Sequence, residues 1–207
     1  MIRFKKVEIE HIETHVIEYQ PYDMEPYLHQ LDTEEHKRFD SFNSIKRKYE
    51  FLSTRILKNR LFPNETINYL PSGAPRIGDE FFISISHTQN KSAIAISKDF
   101  EIGLDIEPTS NKAQRLYSKF LNEDEIALLN TADELEMTKA WSCKESLYKL
   151  ANRKGIIFKQ DLLILDFKDN IFTCRFRRED QHFLINLNSI VIDDVVFTIN
   201  CEPKRPL

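Results

Sequence analysis

Ile102-Gly103-Leu104-Asp105-Ile106-Glu107-Pro108 is the stretch from which the rest of the chain can be read. Its letters alternate. Ile102, Leu104 and Ile106 fall on one strand face, and Gly103, Asp105 and Glu107 on the other. Pro108 has no N–H for a ladder and stops the pairing. Two carboxylates therefore stand side by side on one face of a strand. Trp141-Ser142-Cys143-Lys144-Glu145-Ser146-Leu147-Tyr148-Lys149 reads as helix, with Glu145 and Lys149 four apart on one face. Ile85-Ser86-His87 closes a third run. If these faces meet, three carboxylates converge beside a lysine and a histidine. Such a set can hold a hard divalent cation on a phosphate ester and move a proton next to it.

Working outward, residues 2 to 19 read as strand, and Pro21 and Pro26 break the pattern. Phe39, Phe42, Ile45, Tyr49, Leu52 and Ile56 recur at steps of three and four, a helical signal from Asp32 to Phe62. Asp32 with Glu35 resembles a capping box, and Ser41 to Ser44 can split the region in two. Phe81 to His87 and Ala93 to Ile96 form a predicted hairpin around Thr88-Gln89-Asn90-Lys91. Asn122 with Glu125 signals a second helix start, and residues 133 to 152 a third helical region. The C-terminal third alternates again over 162–167, 171–176, 183–187 and 195–199, and Glu202 to Leu207 are expected to fray. Helices and antiparallel strands are segregated rather than alternating, so the class is α+β.

The bounding facts exclude much. A chain of 207 residues is one large domain or two small halves. A net charge of −4 argues against a general nucleic-acid binder. No apolar run approaches the ~18 residues of a membrane span, and Met1 to Lys6 lacks the apolar segment of a signal peptide. Cys143, Cys174 and Cys201 are odd in number and widely spaced, which argues against a disulfide framework or zinc site and fits a reducing cytoplasm. None of the four glycines builds a phosphate-cradling loop.

Each chemical signal has a plainer reading. Asp105 and Glu107 can be solvated edge charges, and Glu145 with Lys149 a surface ion pair worth roughly 0.3–0.5 kcal/mol. Ser86 and His87 are adjacent on a strand, point to opposite faces and do not make a nucleophile–base pair. His87 is better read as a donor to something anionic, or as a structural histidine. Residues 37 to 60 carry eight basic against two acidic side chains; most are expected on a solvated helix face, with one or two available to clamp phosphate. Glu123 to Glu136 form an acidic counterpart. Trp141, Tyr148 and Cys143 are expected to pack in the core.

In order and spacing, Ile85-Ser86-His87, Ile102 to Glu107, Lys119-Phe120-Leu121 with its acidic helix start, and Trp141 to Lys149 together resemble the 4′-phosphopantetheinyl transferase family. The likeness is to its monomeric type, which acts on carrier proteins of peptide, polyketide and fatty-acid synthesis. It implies a pseudo-twofold arrangement of two similar halves, 1–98 and 99–207, each a helix packed on a small antiparallel sheet. It implies coenzyme A in the cleft between them and an apo acyl or peptidyl carrier protein as acceptor. It further implies Mg²⁺ on Asp105, Glu107 and Glu145, with coenzyme A phosphates on Arg38, Ser86, His87 and Lys149. Glu145 and Lys149 then carry the catalysis. The family often has Gly-Lys-Pro before the Ser-His strand. Here the chain reads Gly73-Ala74-Pro75, leaving Arg76 as the candidate substitute. Two alternatives remain: a metal-dependent phosphodiesterase or nuclease, and a non-catalytic coenzyme A or carrier-protein binding module.

Overall fold

The computed structural model describes every residue of the chain except 64, 72, 79, 152 and 154. The N-terminal run is a hairpin of β1 (Ile2–Ile9) and β2 (Ile12–Tyr19), turning at Glu10 with φ of 53°. A short α1 (Glu25–Leu28) leads to α2 (Thr33–Asp40) and α3 (Ile45–Leu61). The split at residues 41–44 follows the sequence expectation: Asp32 and Glu35 close a capping box on α2, and the Ser44 side chain caps α3. Then come β3 (Ile67–Tyr69), β4 (Pro75–Ile77), β5 (Phe81–Thr88) and β6 (Lys91–Ser97). The second half runs β7 (Leu104–Pro108), α4 (Asn111–Phe120), α5 (Glu123–Leu128), α6 (Glu134–Leu150) and α7 (Phe158–Asp161). It closes with β8 (Leu162–Lys168), β9 (Ile171–Arg178), β10 (Gln181–Ile192), β11 (Val195–Ile199) and β12 (Arg205–Pro206).

Among the described residues the strands form two antiparallel sheets, β1-β2-β6-β5-β4-β3 and β7-β11-β10-β9-β8, with β12 on β10. The molecule is α+β with two similar halves. The last residues do not fray. Arg205 and Pro206 pair with Leu184 and Phe183, and the Leu207 amide donates to the His182 carbonyl at 3.0 Å.

Strand alternation sorts the apolar residues into three cores. On β6, Ile94 faces α3 while Ala93 and Ala95 face the other sheet. Leu104 and Ile106 of β7 join that inter-sheet core with Val16, Val195 and Phe197. Phe172, Cys174, Phe176, Ile185 and Leu187 cover α6 from the second sheet. Each fully buried Leu, Ile or Phe contributes ~1.5–3 kcal/mol. Because Leu104 and Ile106 are drawn into the inter-sheet core, Asp105 and Glu107 are forced toward α6. The cysteines are buried free thiols, and no described helix is long and apolar enough to cross a membrane.

Two expectations about charge change with burial. Arg55 and Lys58 are not on a solvated helix face: they are 2% and 3% exposed. Arg55 pairs with Glu35 at 2.6 Å and lies over the Phe51 ring, while Lys58 donates to Asn59 and the Glu65 carbonyl. Glu125, in the acidic run 123–136, closes the capping box that its spacing from Asn122 predicts and is also buried against Lys144.

Candidate active site

Gly103 decides how closely α6 approaches β7. A Cβ built there would stand 2.5 Å from the Ser146 carbonyl oxygen and 2.9 Å from Leu150 Cγ. Only a bare Cα lets the helix sit this deep. The Gly103 amide is held by Asn200 Oδ1 at 2.9 Å, and Ser146 Oγ donates to the Thr198 carbonyl at 2.9 Å. Glu145 and Lys149, on either side of this contact, are left facing the strand carboxylates.

The two sheets meet through serine hydroxyls. Ser84 Oγ accepts from the Leu104 amide at 2.8 Å and Ser86 Oγ from the Ile106 amide at 3.2 Å. They take the place of the backbone carbonyls that a continuous ladder would supply. Ser86 Oγ also donates to Asp105 Oδ1 at 2.9 Å. Its single proton is thereby committed, so Ser86 orients the Asp105 carboxylate.

A cleft of about 540 Å³ opens where these elements converge. It is lined from the first half by Arg38, Arg47, Tyr69, Gly73 and His87, and from the second by Asp105, Glu107, Trp141, Glu145, Lys149 and Arg153. Asp105 is buried. Its Oδ1 accepts from Lys149 Nζ at 3.0 Å as well as from Ser86, while Oδ2 is buried without a partner among the described residues. Glu107 Oε1 accepts from Trp141 Nε1 at 2.9 Å. Burial, and then the Asp105 charge, raise the Glu107 pKa against that hydrogen bond. Burial is also the first cause pushing Glu145 up to about 7, followed by Asp105; Lys149 opposes it.

His87 is half-buried. Thr54 Oγ1 gives its only proton to the Glu50 carbonyl at 2.8 Å. Its 2.9 Å contact with His87 Nε2 therefore has the histidine as donor, and the neutral ring keeps a lone pair on Nδ1. Burial, then the charges of Lys149, Arg47 and Arg55, push His87 down to about 3.

Most of the residues singled out in the sequence are thus brought together, but Arg76 is not. Pro75 and Ile77 are buried, so Arg76 between them points to the other side, over the Phe82 ring at 5.4 Å. It lines a neighbouring crevice with Glu101 and Ile102. Trp141 and Tyr148 pack against the core but are only half-buried, and both border the cleft. Arg153 and Trp141 are site residues that sequence reasoning missed. For Arg153 the available signal was a basic residue just beyond the helix carrying Glu145.

Residues 101–199 match the family model described as the 4′-phosphopantetheinyl transferase superfamily. This segment, a little under half of the chain, is similar to that superfamily. A comparison with curated proteins returned no match. The matched segment runs from just before β7 through β11 and contains Asp105, Glu107, Glu145 and Lys149. Phosphopantetheine transfer is the general activity that this likeness supports.

Among the described residues, no group of three His, Cys, Asp or Glu side chains could hold a metal ion. Mg²⁺ rarely asks for such a cage; it is usually held by one or two carboxylates together with substrate phosphates and water. The bare Asp105 Oδ2 and the mutual repulsion of Asp105, Glu107 and Glu145 are features such a cation would relieve. The donor set, all hard oxygen, fits it.

Proposed function

We propose that the protein transfers the 4′-phosphopantetheine arm of coenzyme A to a serine of an apo acyl or peptidyl carrier protein, with Mg²⁺ as cofactor. The observation that carries this reading is the convergence of Asp105, Glu107, Glu145 and Lys149 with His87 and Arg38 in one cleft, in a chain whose residues 101–199 match this superfamily. Asp105 and its strand neighbour Glu107, together with substrate phosphates and water, would hold Mg²⁺, which when bound would supply charge neutralisation to the pyrophosphate.

The reaction forms a bond from the carrier serine oxygen to the phosphorus bearing the pantetheine arm. The bond from that phosphorus to the bridging pyrophosphate oxygen breaks, and adenosine 3′,5′-bisphosphate leaves. Glu145, half-buried in the cleft beside Lys149, accepts the serine proton. Lys149, held on the Leu104 carbonyl and Asp105, offsets charge gathering on the leaving phosphate. His87 and Arg38 hold phosphates of the nucleotide. An apolar cavity of about 360 Å³, sharing Glu107 and Trp141 with the cleft, suits the uncharged arm. With both halves in one chain we infer a monomer, and its buried free thiols suit the cytoplasm.

The direct test is transfer of a labelled arm from coenzyme A to an apo-carrier protein, with and without Mg²⁺. The reading requires label on the carrier serine only when metal is present. Cleavage of coenzyme A without transfer would point instead to a phosphodiesterase.

A further inference from the structure

The cleft's cations differ in what they already hold. Arg47 lies 3.3 Å from Glu50, and Lys149 lies 3.0 Å from Asp105. Arg38 is stacked over Tyr69 at 4.7 Å. Arg153 has neither a carboxylate within ion-pair distance nor a hydrogen-bond acceptor among the described residues. It enters from beyond the C-terminus of α6 and crosses to the first half: a Cβ built on Gly73 would stand 3.9 Å from Arg153 Nη1. Its backbone adopts φ of 64°, uncommon for a residue other than glycine. A half-buried guanidinium without an acceptor, on an unfavourable backbone, facing a cleft, is arranged for an anion.

We propose that Arg153 binds a phosphate of coenzyme A at the Gly73 wall of the cleft. The proposal rests on the function proposed above and adds a substrate-binding residue to it. Arg153 and Arg38 then grip the charged end of the substrate from different halves. Arg76, turned away over Phe82, takes no part.

The test is isothermal titration of coenzyme A into the full chain with Mg²⁺ present, for Arg153→Ala, Arg153→Lys, Arg38→Ala and Arg76→Ala. Losing one charge-assisted contact should weaken coenzyme A about tenfold to a hundredfold in Arg153→Ala. Arg153→Lys should recover part of that loss, and Arg76→Ala should stay within twofold. The salt dependence of the Kd should also flatten in Arg153→Ala. If Arg153→Ala binds like the unmodified chain while Arg38→Ala is weakened, the assignment of Arg153 falls and the proposed function stands. If Arg153→Ala loses kcat at unchanged Kd, Arg153 merely offsets Glu145, and the assignment again falls. If the unmodified chain does not bind coenzyme A, the proposed function falls, and this inference with it.

Discussion

At the scale of single residues, Glu145 and His87 are tuned in opposite directions by the same burial. Glu145 is pushed up to about 7 and His87 down to about 3. Glu145→Gln should keep coenzyme A affinity and lose about 10²–10⁴ in kcat, because a base acts on charge that develops only in the reaction. A variant with near-normal kcat would strip Glu145 of that role. His87 allows a sharper measurement. With Nε2 donating to Thr54, neutral His87 offers phosphate only the Nδ1 lone pair, so contact with a phosphate requires protonation there. Coenzyme A binding at pH 7 should then take up a proton. Titration calorimetry in buffers of different ionisation enthalpy measures it, and His87→Gln should abolish it. Zero uptake in the unmodified chain would exclude the phosphate contact. The same shift sets a stability dependence. A histidine depressed from 6.5 to about 3 binds fewer protons folded than unfolded, so its destabilising contribution grows as pH falls from 6.5 toward 3. Above 6.5 it is absent. Urea unfolding of the free protein against pH, relative to His87→Gln, should diverge only below pH 6.5.

At the scale of elements, two of the contacts that hold α6 against the second sheet can be tested singly. One is the close approach at Gly103. Gly103→Ala must push the helix off β7 or distort the strand, at a cost of about 1–3 kcal/mol. It should also depress kcat, because Glu145 and Lys149 move with the helix; a variant of unchanged stability and activity would deny Gly103 this role. The other is Lys144, fully buried and bound by Glu125 and the carbonyls of Phe158 and Leu162. Glu125 also accepts from the Ile164 amide, at 2.7 Å, so one carboxylate ties α5, α6 and β8. Lys144→Met leaves that carboxylate buried and uncompensated, and should cost roughly 3–5 kcal/mol in urea unfolding. Adding Glu125→Gln should recover part of it. Additive losses in the double variant would mean the two residues act independently. The capping boxes at Asp32 and Asn122 were legible in the sequence because their signal is local. Lys144 was not, since its partners lie about 20 residues away on either side.

At the scale of the whole molecule, the exposed basic residues of α2 and α3, such as Lys37, Lys46 and Arg47, belong to the first half of the chain and the acidic start of α5 to the second. An acidic carrier steered to the basic side should show a KM that rises with ionic strength. A KM flat between low and high salt would refute electrostatic docking. The chain's letters alone determined the α+β class, the split between α2 and α3, the hairpin of β5 and β6, and the faces carrying Asp105, Glu107, Glu145 and Lys149. Those follow from periods of 2 and 3.6 and from caps, all written within a few neighbouring residues. Tertiary structure decided the rest. Ser86 became the orienter of Asp105, Arg76 was turned out of the cleft by buried Pro75 and Ile77, and Arg153 was brought to Gly73 across the two halves. Such assignments depend on which strand edges and helix ends meet, and no local period encodes a meeting between residues 80 positions apart.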